Sequence, residues 1–345
     1  MKKLYILLAA FLIAAMLLPA CAPASPDCAS ADVFCVGLVT DIGKISDKSF
    51  NQSAWEGVQQ AGKNLGALVQ YIETADARDY VKNISTFADE KYDVIVTVGF
   101  NLREDTRTAA EIYPNVKFIG VDQDQFEGTI DNLAGLLFPE DHAGFLVGAL
   151  AAMMSKTHKI GAVCSTDLAP PVWRLGEGYK AGAAYADELN DINTDVSVAY
   201  HSDVGFDQTF VDPEWGAEIA ISMMDQGVDT IFGCGGITGN GAIIAAADVG
   251  AYTIGVDTDQ YLTVPEAAPR MLSSAMKLIT PGVFELIKLS REGAFPGGNY
   301  LGDVTYAPYH DLEHEVPAEV KTTMEQISAG LLGGSIKTNV PPVKP

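Results

Sequence analysis

Basic residues are scarce in this chain. Lysine and arginine number 22 against 45 aspartates and glutamates, for a formal net charge of −23. A nucleic-acid polymer is a poor partner for such a chain, because neutralising phosphates needs a basic surface. Cysteines are few, five in 345 residues, and none has CxxC spacing, so no compact metal or redox motif is built on them. A membrane-spanning run is missing as well. The uncharged stretch Leu4–Leu18 has fifteen residues, where a spanning helix needs about twenty.

That stretch has a different use. Lys2 and Lys3 precede it, and Leu18-Pro19-Ala20-Cys21 closes it with small residues. These flanks read as a signal peptide over residues 1–20. The cysteine after the small residue resembles a bacterial lipobox, in which Cys21 is acylated. Residues 21–32 then form a tether holding the mature protein on the extracytoplasmic face of a membrane. Cys28 and Cys35 leave a disulfide open, whereas Cys164 and Cys234 end apolar strands and read as buried, inert thiols.

What the chain has is a repeat. Ile-Gly-Val-Asp-x-Asp-Gln occurs at Ile119–Gln125 and again at Ile254–Gln260. Upstream of each copy, Asp93, Ile95 and Gly99 match Asp229, Ile231 and Gly235. A spacing of roughly 135 residues is too long for a solenoid unit and points to two similar domain-sized halves. Strands and helices alternate through both, the pattern of parallel sheets with helical crossovers. Open parallel sheets take ligands at the carboxyl ends of their strands, where Asp41, Phe100, Asp122, Gly235 and Asp257 fall. The expected lobes are 33–139 with 275–298 and 140–274 with 299–345. Met271–Lys277 is expected back on the first lobe, since four strands already complete the second sheet.

Gly37–Gly57 (GLVTDIGKISDKSFNQSAWEG) resembles the opening motif of the basic membrane protein family. These are purine-nucleoside-receptor-A-like lipoproteins, the substrate-binding components of ABC importers. FADEKYDVIVTVGF at Phe87–Phe100, YPNVKFIGVD at Tyr113–Asp122 and GFLVGALAA at Gly144–Ala152 extend the match. GVDTIFGCGGITGNGAI at Gly227–Ile243 and IGVDTDQ at Ile254–Gln260 continue it in order through the mature chain.

The resemblance implies an α/β, type I periplasmic-binding-protein fold: two doubly wound parallel-sheet lobes joined by a hinge of several crossings. It implies a purine nucleoside (guanosine, inosine or adenosine) enclosed between the lobes, ABC permease subunits as partners, a monomer, and neither cofactor nor metal. By motif, Asp41, Phe50 and Asn51 would come from the first loop and helix. Asp122 would meet the base, with Phe206 as the opposite stacking face and Phe210 as its rival. Gly235, Asp257 and Lys277 would hold the ribose, Lys277 balancing the buried charge of Asp257. Riboflavin is a second flat ligand open to such a site, and a nucleoside hydrolase or a ligand sensor are alternatives of other classes. Plainer readings stand beside these: Asp41 as a turn cap, Asn51 as a helix cap, Trp173 as packing.

Two departures from the family pattern bear on base preference. The second-lobe loop carries Pro170-Pro171, and Gln123-Asp124-Gln125 adds polar groups after the first aspartate. The glycine-rich Gly233–Gly241 fits neither GxGxxG nor a P-loop and suits close approach to a sugar. His310 and His314 have metal-ligand spacing on an expected helix but no third ligand nearby, so a solvated surface is the expected setting.

Overall fold

The computed structural model describes residues 27–345. The signal segment and Cys21 lie outside the described residues. Two six-stranded sheets carry the fold, and their strand orders match. The first comprises β1 (Cys35–Ile42), β2 (Leu68–Thr74), β3 (Val94–Val98), β4 (Lys117–Val121), β5 (Leu133–Leu137) and β11 (Gly298–Leu301). Its spatial order is β11-β5-β4-β3-β1-β2, every pair parallel. The second holds β6 (Lys159–Cys164), β7 (Asp195–Tyr200), β8 (Thr230–Cys234), β9 (Tyr252–Asp257), β10 (Met271–Lys277) and β12 (Val304–Tyr306). It repeats the order as β12-β10-β9-β8-β6-β7, with β12 alone antiparallel.

The central strands read as continuous apolar runs because helices cover both faces. Val94–Val98 and Thr230–Cys234 are buried at every position. In the first lobe the covering helices are α1 (Phe50–Leu65), α2 (Tyr80–Asp89) and α3 (Arg103–Ile112). In the second they are α4 (Glu140–Met154), α5 (Pro170–Asn190), α6 (Pro213–Asp225) and α7 (Gly236–Asp248). Helix α1 stops where Gly66 turns left-handed, φ 68°, and returns its N–H to the Ala61 carbonyl. Beyond its acidic first turn helix α4 is apolar all round and nearly all buried, as a helix enclosed on every side must be. It lies against α5 at a distance only glycine permits: a Cβ on Gly182 would stand 1.9 Å from the Phe145 carbonyl oxygen.

Two segments change lobe relative to the sequence expectation: Met271–Lys277 joins the second lobe, and Asn299–Leu301, expected in the second, pairs with β5 in the first. Met271–Lys277 pairs in parallel with β9 and is the fifth strand of the second sheet, so it does not return to the first. The open edge of β9 still offered a full row of backbone donors and acceptors, and β10 satisfies them. The chain crosses back only after Lys277, where α8 (Ile279–Arg291) packs on α1. It stays in the first lobe through β11 and leaves again before β12. Helix α9 (Ala318–Leu332) then buries Val320, Met324, Ile327 and Leu331 in the core shared with α4.

Cys28 and Cys35 form a disulfide, with Cα atoms 5.8 Å apart, that ties the N-terminal arm to the start of β1. Cys164 and Cys234 are free and buried. No described helix is long and apolar enough to cross a membrane.

Candidate ligand-binding site

The carboxyl ends of the two sheets face each other across a cavity of about 790 Å³, part of it open to solvent. Asp41, Phe50, Asn51, Asp122, Phe206, Gly235, Asp257 and Lys277 all line it. Asp47, Lys44, Phe100, Phe210 and an apolar wall of Ala169, Pro171, Val172 and Leu175 are also among the lining residues. Trp173 is buried and outside the cavity.

On the first-lobe side, Asp41 is the penultimate residue of β1. Its carboxylate accepts from the Tyr80 hydroxyl and from the Ile42 N–H, the latter at 2.6 Å. Burial raises its pKa despite these bonds. The turn-cap reading therefore describes one of its contacts, and its place in the cavity is additional. Asp47 caps α1, accepting from the N–H groups of Ser49, Asn51 and Gln52 at 3.0, 2.9 and 3.0 Å. It takes the task the sequence reading left open for Asn51. Asn51 instead donates from Nδ2 to Asp47, and its buried Oδ1 has no protein partner.

Asp122 follows β4 with φ 60°, and Asp257 ends β9 with φ 66°. Their partners differ from expectation. Lys277 Nζ lies 2.5 Å from Asp122 Oδ2 and 3.6 Å from Glu140, so its close contact is with Asp122. Asp257 is instead held by the Ser49 hydroxyl at 2.7 Å. The reason is placement: Lys277 ends β10, beside β9, and reaches across the cleft to the other lobe. The Lys277 ammonium also sits over Phe50 at 5.0 Å and Phe138 at 5.1 Å, close enough for cation–π attraction.

Four ionisable groups thus share a buried volume. Burial pushes Asp257 up to about 6, against the pull of Lys277 and Ser49. Burial likewise pushes Glu140 up to about 7, with Lys277 opposing and Asp122 adding to the rise. For Lys277 burial acts the other way, but Asp122, Glu140 and Asp257 outweigh it and hold the proton more tightly than usual. Asp122 Oδ1 remains buried with no protein partner. A buried carboxylate oxygen without a donor is costly, and a hydrogen-bond donor on a ligand would satisfy it.

Gly235 lines the cavity with φ 116°, and a Cβ there would meet Ser165 Oγ at 2.4 Å, so the position takes no side chain. Phe206 and Phe210 both reach the site, 5.4 Å apart and inclined at 54°. Gln123, Asp124 and Gln125 do not line it. Gln123 donates to the Gly99 carbonyl at 2.9 Å, Asp124 pairs with Arg103 at 2.9 Å, and Gln125 bonds backbone of its own lobe. Pro171, by contrast, lies in the cavity wall at the start of α5. His310 sits on a single turn, not a longer helix, and is half-buried: it bonds Asp259 at 2.7 Å and stacks on Tyr261. Among the described residues no group of three metal-ligating side chains comes together.

Phe210 is the rival stacking ring already named from the sequence, and Asp47 was within reach of the same reasoning. Asp47 stands two residues before Ser49, the N-cap of an apolar-periodic helix, within reach of its first free N–H groups. Glu140 gave no such signal, since its neighbours come from distant strands.

The comparisons with known proteins bear on the fold and the family. A crystal structure of an ABC transporter solute-binding protein from Aeropyrum pernix superposes with a TM-score of 0.78 at 24% identity, covering 88% of this chain and 92% of that one. The fold is therefore the type I periplasmic-binding-protein fold. A CD4+ T-cell-stimulating antigen of Listeria innocua is 31% identical over 100% of this chain and 99% of its own. The ABC transporter nucleoside-binding protein BmpA of Lactococcus lactis is 30% identical over 76% of this chain and 77% of its own. The family model for PnrA-like ABC transporter substrate-binding proteins matches residues 34–302. With that match spread across both lobes and the cleft between them, the chain belongs to the Bmp family of ABC transporter substrate-binding proteins.

Proposed function

We propose that this substrate-binding protein captures a purine nucleoside, held outside the cytoplasm by a lipid on Cys21. One observation carries the reading. The cavity sets aromatic rings from opposite lobes, Phe50 and Phe206, beside two strand-end carboxylates, Asp122 and Asp257. A purine offers two π-faces, each stacked ring contributing about 1–3 kcal/mol. The ring N–H of guanine or hypoxanthine is a donor suited to the open oxygen of Asp122. Ribose hydroxyls are donors suited to Asp257, which lines the same cavity as the backbone of Gly235. Lys277 pairs with Asp122 and its charge also favours the ionised form of Asp257, while Asp41 and Asn51 belong to the polar first-lobe wall. Acidic residues outnumber basic ones around the cavity, which favours a nucleoside over a phosphorylated nucleotide.

Capture needs no chemical step. Ligand enters an open cleft, both lobes contact it, and the closed form is presented to the permease. Denaturing the purified mature protein and identifying the released small molecule by mass spectrometry tests the reading. A purine nucleoside supports it, and a flavin would replace it with the other flat ligand.

A further inference from the structure

The lobes are also joined by side chains that do not line the cavity. Asp47–Ser49, the loop ahead of α1, belongs to the first lobe yet is bonded to three parts of the second. Asn240 Nδ2, on α7, donates to the Asp47 carbonyl at 2.9 Å. Thr263 Oγ1 donates to the Lys48 carbonyl at 2.7 Å, and Gln260 Nε2 donates to the same oxygen at 3.2 Å. Gln260 also fixes Asn240, donating to its Oδ1 at 2.8 Å. Lys48 Nζ adds an exposed ion pair with Glu266 at 3.1 Å.

Two features set these contacts apart from incidental ones. Lys48 has φ 63°, a left-handed state that a residue with a Cβ holds only when its surroundings impose it. Here two donors from the opposite lobe converge on its carbonyl. Asn240 and Gln260 are buried, at 6% and 0% exposure, so their amides depend on these partners. The repeat sharpens the contrast. Gln125, the counterpart of Gln260, donates to Leu133 of its own lobe at 2.7 Å and accepts from Ile130 at 2.9 Å. One copy of the motif braces a lobe, and the other bridges two.

We infer that Thr263 and Asn240, the latter oriented by Gln260, are positioning residues that latch the lobes together and set how long a ligand stays bound. The latch acts on loop 47–49, which runs straight into Phe50 and Asn51, so its release moves the first-lobe wall of the cavity. It does not depend on the ligand being a nucleoside.

The test uses Asn240→Ala and Thr263→Val in the mature protein. Thr263→Val keeps the side-chain shape and removes only the hydroxyl, so it serves if Asn240→Ala misfolds. Spin labels on cysteines replacing exposed Glu111 and Glu188 report the distance between lobes without ligand, the free thiols among the described residues, Cys164 and Cys234, being buried. Stopped-flow with guanosine reports association and dissociation. Both variants are expected to shift the distances longer and to release guanosine about tenfold faster, with association changed far less. Unchanged distances overturn the inference, as does unchanged release by a protein that binds guanosine. Longer distances in a protein that never binds guanosine would keep the latch and remove the nucleoside reading.

Discussion

Asp122 and Asp257 end equivalent strands of the two lobes in the same uncommon backbone state, φ 60° and φ 66°. Gly99 and Gly235, which follow the neighbouring strands β3 and β8, match as closely at 117° and 116°. Aspartate tolerates the left-handed region better than most residues, because its short polar side chain can bond locally. The equivalence stops at the side chains. Asp122 faces Lys277 from the other lobe, and Asp257 faces Ser49 from the other lobe. Each carboxylate is therefore held by the lobe it does not belong to, and opening the cleft would strip both of their partners.

Asp257→Asn should separate stability from binding. A carboxyl raised from 3.8 to about 6 binds more protons folded than unfolded. Its contribution to stability is complete below about pH 4 and is lost as pH rises through about 6. The variant is expected to melt above wild type at pH 7 without ligand, the gap closing toward pH 4. Its guanosine affinity should fall about tenfold or more, since an amide oxygen accepts less strongly than a carboxylate. Melts from pH 4 to 7 check this, and a gap independent of pH would contradict the origin assigned to it.

Lys277→Met should be the most damaging single change in the cleft. It leaves Asp122 and Glu140 facing each other without a cation in a buried volume. Removing one partner of a buried pair costs about 3–5 kcal/mol. Urea unfolding of the ligand-free protein should show a loss of that order at pH 7. The loss should shrink as acid neutralises Glu140, whose carboxyl lies near 7.

Phe206→Ala and Phe210→Ala should differ in kind. Phe206 begins a one-turn helix, and its loss should weaken guanosine binding by about tenfold or more with little change in melting temperature. Phe210 packs against Gly235 and Gly236, and its carbonyl accepts from Thr238. Its truncation should lower melting temperature and affinity together. Paired calorimetry and thermal melts distinguish the two.

The Cys28–Cys35 bridge closes a short loop onto the buried start of β1. Cys28→Ser with Cys35→Ala is expected to cost about 2–3 kcal/mol through the entropy restored to the unfolded chain. Guanosine affinity should be unchanged, because β1 carries the bridge and Asp41 at opposite ends.

Much of this fold can be read from the sequence, because its central strands are short apolar runs ending on a glycine or an aspartate. The duplicated Ile-Gly-Val-Asp-x-Asp-Gln marks the same strand end in each lobe, and the two ends do meet across one cavity. Met271–Lys277 is harder to place, since a lone strand carries no record of which sheet edge it joins. Side-chain partners are harder still. Gln125 and Gln260 hold the same motif position yet bond a single lobe and both lobes respectively, a difference set by what lies opposite. Lys277 looks like the partner of Asp257, its neighbour in the sheet, and the geometry of the cleft gives it to Asp122 instead.

Titration calorimetry of the mature, ligand-free protein with guanosine, inosine and adenosine tests the central claim most directly. The expected result is one-site binding of at least one of them at micromolar affinity or tighter, abolished in Asp257→Ala while that variant keeps its fold. No binding of any of the three by a folded, ligand-free protein would contradict the nucleoside assignment.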